Sequence, residues 1–111
     1  MSRSDDLRLL DILEASDRID RLVARGPLAF SDDEAIQPAI ERMLEIIGES
    51  ANSLTEESRH DLPGVEWDDI RRLRIVLAHH YHRVDPDQVW TMATQDVPDA
   101  VRVIRAKRPD L

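Results

Sequence analysis

Apolar residues recur along this chain at three- and four-residue steps with polar residues between them, the pattern of amphipathic helices packed against one another. The first stretch runs from about Ser4 to Arg25. It carries Leu7, Leu10, Ile19, Leu22 and Val23 at helical spacing, and Asp5, Asp6 and Asp11 lie toward the positive end of the helix dipole. Gly26-Pro27 ends it. Ser31-Asp32-Asp33-Glu34 then has the form of a capping box, in which the serine hydroxyl and the glutamate carboxylate each satisfy a free amide, and it predicts a second start. From there Ile36, Ile40, Met43, Leu44, Ile47, Ala51 and Leu54 trace one face of a long helix reaching about Ser53. Pro38 lacks an amide hydrogen and predicts a kink or a delayed start. Gly48, inside this helix, costs about 1 kcal/mol against alanine and marks the close approach of another helix.

Thr55-Glu56-Glu57 opens a short helical turn that Leu62-Pro63-Gly64 breaks. A third long helix begins near Trp67 and Asp68, with Ile70, Leu73, Leu77 and Tyr81 on one stripe and Arg71, Arg72 and Arg74 on its flanks. Val84-Asp85-Pro86 is a stop and restart, Asp85 serving as N-cap and Pro86 as first helical residue. Val89, Trp90, Ala93 and Val97 belong to a fourth helix. Asp96-Val97-Pro98 breaks or bends it before a last piece holding Ala100, Val101 and Ile104, and Lys107-Arg108-Pro109 terminates that piece. No segment alternates with period two over more than a few residues, and no internal repeat is present. The pattern therefore predicts an all-α bundle of four to five helices with short connections, occupying residues 1–111 as a single domain.

Composition adds limits. Apolar residues make up 41% of the 111, enough for a core, and no cysteine is present, so disulfides and thiolate metal sites are excluded. The first ten residues have no apolar signal-peptide core and no stretch suits a membrane span, so a cytoplasmic location is expected. Net charge is −8, which weighs against bulk nucleic-acid binding, but its distribution is uneven. Residues 71–83 carry four arginines and no acidic side chain, whereas residues 1–70 carry 7 basic and 18 acidic ones. Three of the four histidines, His79, His80 and His82, lie in the same basic stretch, so an anionic ligand is expected there.

Phosphate-loop, G-x-S-x-G, H-E-x-x-H and cysteine-pair motifs are all absent, and no cofactor is expected. Within residues 71–83 no histidine pair has i,i+4 spacing and no carboxylate intervenes, so a metal site is not expected either. Histidine accepts and donates protons near neutral pH, and a guanidinium holds a phosphate through two parallel hydrogen bonds, so the pairing suits phosphodiester cleavage. Arg74 and His79 are five residues apart, which turns about 140° on an ideal helix. Convergence then needs a frayed helix end or a cleft completed by a second copy of the chain.

The segment Arg74-x-x-x-x-His79-x-Tyr81, followed by Val84-Asp85 and Val89-Trp90, resembles the signature of HepT-type HEPN toxins. Met43 to Leu54, including Ile46-Ile47-Gly48-Glu49-Ser50-Ala51-Asn52, is similar to that family's second helix, and Leu62-Pro63 through Trp67 and Ile70 to the lead into its third. The resemblance covers nearly the whole chain. It implies a HEPN helical bundle that forms a homodimer with the motifs facing a shared cleft, and a metal-independent endoribonuclease acting on an RNA substrate, with Arg74 and His79 catalytic. It further implies an MNT-type nucleotidyltransferase antitoxin as partner, transferring AMP to Tyr81. Arg71, Arg72, His80, His82 and Arg83 are the accompanying RNA-binding candidates.

One position departs from the pattern. The family usually places a polar residue, often asparagine, directly after the arginine, and this chain has Ile75. Two other readings follow, a non-catalytic RNA- or nucleotide-binding module and a structural subunit whose basic segment docks an acidic partner. Tyr81 also has a packing reading, because it shares the stripe of Ile70, Leu73 and Leu77.

Overall fold

The computed structural model describes residues 3–78 and 84–111, and every regular element among them is helical. Four long rods form the frame. They are α1 (Arg3–Val23), α3 (Ile36–Ser53), α5 (Trp67–Ala78) and a composite rod made of α6 (Pro86–Thr91), a π-helical turn at Met92–Asp96, and α7 (Val97–Lys107). Two short helices, α2 (Pro27–Asp32) and α4 (Glu56–His60), lie in the connections.

On α1 the buried face is Leu9, Ile12, Leu13, Ser16 and Ile19, rather than the face of Leu7 and Leu10, which are exposed. Both sets fit a helical period. The choice is made by the partner helix, because Asp5 lies on the first set's stripe and is itself buried. Its carboxylate accepts hydrogen bonds from the Thr55 amide (3.0 Å) and the Thr55 hydroxyl (2.8 Å), while the same hydroxyl oxygen accepts from the Ser58 amide and caps α4 as its sequence suggests. One buried acid thus fixes the start of α1 to the corner after α3.

Helix α2 is an addition to the sequence reading. Gly26 takes φ +96°, a conformation that favours glycine, and Pro27 behind it occupies the first helical position, so the pair both ends α1 and starts α2. Phe30 is thereby buried with its ring 5.0 Å from that of Trp90. The Ser31 capping box does not form, since Ser31 lies inside α2. Asp33 acts instead, its carboxylate accepting from the Ala35 amide at 2.9 Å. Pro38 falls in the first turn of α3, where amides lack helical partners in any case, so the delayed start is what occurs.

Helix α3 is the centre of the bundle, packing on α1 on one side and α5 on the other, with Ile36, Ile40, Leu44, Ile47 and Ala51 buried between them. Where the sequence predicts a break or bend at residues 96–98, the helical run continues through a widened π turn at Met92–Asp96. Pro98 has no amide to give and its ring crowds the preceding turn; the Val97 amide bonds back to the Met92 carbonyl, five residues away. The wider turn keeps Met92, Ala93 and Val97 all in the core. Beside it, the Asp96 carboxyl is held above the usual aspartate range by partial burial and by the nearby charges of Asp69 and Asp99. At the chain's end Arg108 bonds Asp6 of α1 (2.9 Å) and Asp110 (2.7 Å), which holds the Asp110 carboxyl below its ordinary range. Among the described residues no helix is long and apolar enough to cross a membrane.

Asp5→Ala removes the acceptor for two Thr55 donors in a buried place, so stability to urea should fall by about 2 kcal/mol. A loss below about 0.5 kcal/mol would show that the Asp5–Thr55 bonds do not hold this corner.

Candidate functional site

Helix α5 carries the arginines. Ile70 and Leu73 are buried and Leu77 is half-buried against the core, which turns Arg71, Arg72, Arg74 and Ile75 toward the outer surface. The start of the helix is pinned by Trp67, whose indole N–H donates to the carbonyls of Arg59 (3.1 Å) and Leu62 (3.0 Å). Its flank lies unusually close to α3. A Cβ built on Gly48 would stand 2.6 Å from the Arg74 backbone nitrogen and 3.2 Å from its Cα and Cβ, so the backbone of Arg74 occupies the space that any other residue at 48 would fill. The close approach that Gly48 suggested is therefore real, and it is made at Arg74.

Arg74 is half-buried, and its Nε is shielded from water yet has no hydrogen-bond partner among the described residues. Such a group costs roughly 1–3 kcal/mol unless something later satisfies it. Its neighbours differ. Arg71 extends Nε to the Asn52 side-chain oxygen at 3.4 Å and Nη1 toward Asp68 at 3.7 Å, and Arg72 faces Asp69 at 3.4 Å on the exposed side. Asn52, Asp68, Arg71, Arg72, Arg74 and Ile75 together line an open depression of about 220 Å³. With Arg71 and Arg72 beside Asp68 and Asp69, three guanidinium groups meet two carboxylates, and the net positive charge makes it a place for an anion. Ile75 is 45% exposed at its rim, an apolar side chain where a polar one is usual in the resembling family.

Arg71, Arg72 and Arg74 are thus brought together by the structure. His79, His80, Tyr81, His82 and Arg83 lie outside the described residues, as does any convergence of His79 on Arg74. The described chain resumes at Val84, which is buried and whose carbonyl accepts from the Gln37 side chain of α3 at 3.5 Å. Asn52 was not among the sequence candidates for the site. Its signal was available, since it stands four residues after Gly48 on the same face of α3.

A family model described as "Ribonuclease HepT-like" matches residues 12–106. The chain belongs to the HepT-like ribonuclease family. It is 33% identical over 101 residues to the "Probable ribonuclease HepT" of Thermococcus cleftensis, an alignment covering 88% of this chain and 90% of the relative. It is 35% identical over 91 residues to "Putative RNase MJ1380" of Methanocaldococcus jannaschii, covering 81% and 84%. A further protein of that organism, "Putative RNase MJ0127", is 35% identical over 75 residues, which are 68% of this chain and 62% of the relative. No solved structure matches the chain. In this HepT-like protein the helical bundle expected from the sequence is what the described residues form, and Arg74 is set in a basic depression on it.

Gly48→Ala separates contact from helix propensity by sign. At an open helical site alanine would stabilise by about 1 kcal/mol, but here the methyl meets backbone, and the overpacking cost of about 1–3 kcal/mol should prevail. Denaturation should show a net loss of up to about 2 kcal/mol together with a displaced Arg74 amide resonance. A net gain in stability would contradict the contact.

Proposed function

We propose that this HepT-like chain is a metal-independent endoribonuclease, the toxin of a pair whose antitoxin is an MNT-type nucleotidyltransferase. The observation that carries the reading is the buried, unpartnered Nε of Arg74 in a depression lined by three arginines. The chemistry follows from the motif. His79 as general base takes the proton of an RNA 2′-hydroxyl, whose oxygen attacks the adjacent phosphorus. Arg74 stabilises the charge that grows on the non-bridging oxygens, and the 5′-oxygen leaves with a proton supplied by an imidazolium. The products are a 2′,3′-cyclic phosphate and a 5′-hydroxyl end. Arg71, Arg72, His80, His82 and Arg83 hold flanking phosphates. The five-residue offset of Arg74 and His79 favours a homodimer with both motifs in one cleft.

A second reading, an RNA- or nucleotide-binding module without turnover, is favoured by one observation, the exposed Ile75 at the rim of the depression. RNA incubated with the protein in excess chelator distinguishes the two. Cleavage to cyclic-phosphate ends is expected from the parent, with Arg74→Ala and His79→Ala each lowering the rate by at least about 100-fold at an unchanged circular dichroism spectrum. Light scattering on the same samples should give twice the 12.8 kDa chain mass. Binding without cleavage would select the second reading, and equal rates for parent and variants would remove Arg74 and His79 from catalysis.

Control would act through Tyr81. Its hydroxyl oxygen attacks the α-phosphorus of ATP, pyrophosphate leaves, the hydroxyl proton passes to solvent, and the added phosphodiester competes with RNA for the same arginines. Co-expression with an MNT-type nucleotidyltransferase should add AMP to the parent and none to Tyr81→Phe. Equal modification of both would leave Tyr81 as a packing residue.

A further inference from the structure

Asn52 and Arg71 form a pair outside the family motif, and their bonding is incomplete in a specific way. The Arg71 Nε–H can only donate, so the Asn52 atom facing it at 3.4 Å is the side-chain oxygen. The Asn52 amide nitrogen is left with two hydrogens that no described protein acceptor takes. Arg71 is equally uncommitted: its bond to Asn52 is long, and Asp68, 3.7 Å away, is 82% exposed, a partner that contributes little and is readily exchanged. A dipole that would repel an anion here is already answered. Helix α3 ends beside Asn52, and Arg59 donates to the Ala51 and Leu54 carbonyls at that end. Donors without acceptors, cationic surroundings and a neutralised helix end describe a place for negative charge.

Arg71 precedes Arg74 by three residues on α5, so the two guanidinium groups rise from one face, about 5–6 Å apart at their Cβ atoms. They line one depression, with the apolar side chain of Ile75 between solvent and the basic floor. A phosphate at Arg74 would leave Asn52 and Arg71 for a second phosphate of the same strand, with Ile75 lining the depression beside them. We propose that Asn52 and Arg71 form a second phosphate subsite, which binds the RNA phosphate next to the one held by Arg74. The proposal rests on the ribonuclease reading for its substrate. It also names what occupies the polar role that Ile75 leaves open, an amide from α3 rather than from α5.

Uncleavable probes test the subsite apart from catalysis. A 2′-O-methyl dinucleoside monophosphate offers one phosphate and a 2′-O-methyl trinucleoside diphosphate offers two, and neither has the attacking hydroxyl. Calorimetry at low salt should show the parent binding the two-phosphate probe about tenfold more tightly, the worth of one added charge-assisted contact. Asn52→Leu and Arg71→Gln, checked for folding by circular dichroism, should each reduce that difference to about twofold or less, and Asn52→Asp should abolish it. Arg105→Gln removes the same charge from an arginine that pairs with Asp17 elsewhere, so the tenfold difference should survive in it. A parent that binds both probes equally overturns the subsite, as does a difference that persists in Asn52→Leu and Arg71→Gln or vanishes in Arg105→Gln. Cleavage of unmodified RNA is read separately. If the parent binds the probes as described but cuts nothing, the ribonuclease reading falls and the subsite stands; if it cuts RNA but shows no preference for two phosphates, the reverse holds.

Discussion

A methyl group that residue 48 lacks sets the geometry of this protein. With a Cβ there, α3 would meet the Arg74 backbone nitrogen at 2.6 Å, and α5 could not lie where it does. Helix α3 is the element on which both α1 and α5 pack, so a displaced α5 would open one side of the bundle. The price is the lower helix propensity of glycine, about 1 kcal/mol, incurred in the middle of an 18-residue helix. In return the main chain of Arg74 is fixed against α3.

The rest of the described structure keeps that contact in place. Below it, the Trp67 indole is tied to the Arg59 and Leu62 carbonyls, Arg59 is tied to the end of α3, and Asp5 is tied to Thr55 between α3 and α4. On the far side Gln37 reaches the Val84 carbonyl where the chain returns from the basic stretch. These are bonds at the ends of elements, made by polar groups that are wholly or partly buried, and they fix the register of α5 against α3. Among the described residues the one buried side-chain polar atom without a partner is the Arg74 Nε, beside this network. A folded chain tolerates that cost where a ligand relieves it, which is why the orphan is informative about function and not only about packing.

Much of the fold could be read from the chain because it is set by local chemistry. Thr55 and Asp85 are caps that depend on residues two and three positions on, and both act as caps. The buried face of α3 is the one its periodicity marks. What could not be read depends on distant partners. Ser31 satisfies the local form of a capping box, yet Pro27 starts a helix that absorbs it. Leu7 and Leu10 fit a helical stripe as well as Leu9 and Ile12 do, and only the position of α3 and the buried Asp5 decide between them. The break or bend expected at Asp96-Val97-Pro98 is instead a π turn over Met92–Asp96 in a helical run that continues, with Met92, Ala93 and Val97 buried together. For the site the same division holds. Arg74 is visible as a motif residue and Gly48 as a close approach, whereas their contact joins positions 26 residues apart. The spacing of Asn52 from Gly48 puts it on the facing side of α3, but its bond to Arg71, 19 residues away, is a matter of tertiary packing.

The Arg74 Nε, buried and without a partner among the described residues, should take up a phosphate oxygen when RNA binds. The nitrogen itself can be observed. With arginine side chains labelled with nitrogen-15, the Arg74 Nε–H signal should be followed as a 2′-O-methyl dinucleoside monophosphate is added, beside the signal of Arg105 as an exposed reference. The Arg74 resonance should shift with saturation and its hydrogen should exchange more slowly with water, while Arg105 stays in place. Saturable binding that moves other arginine signals and leaves Arg74 unchanged would contradict the claim.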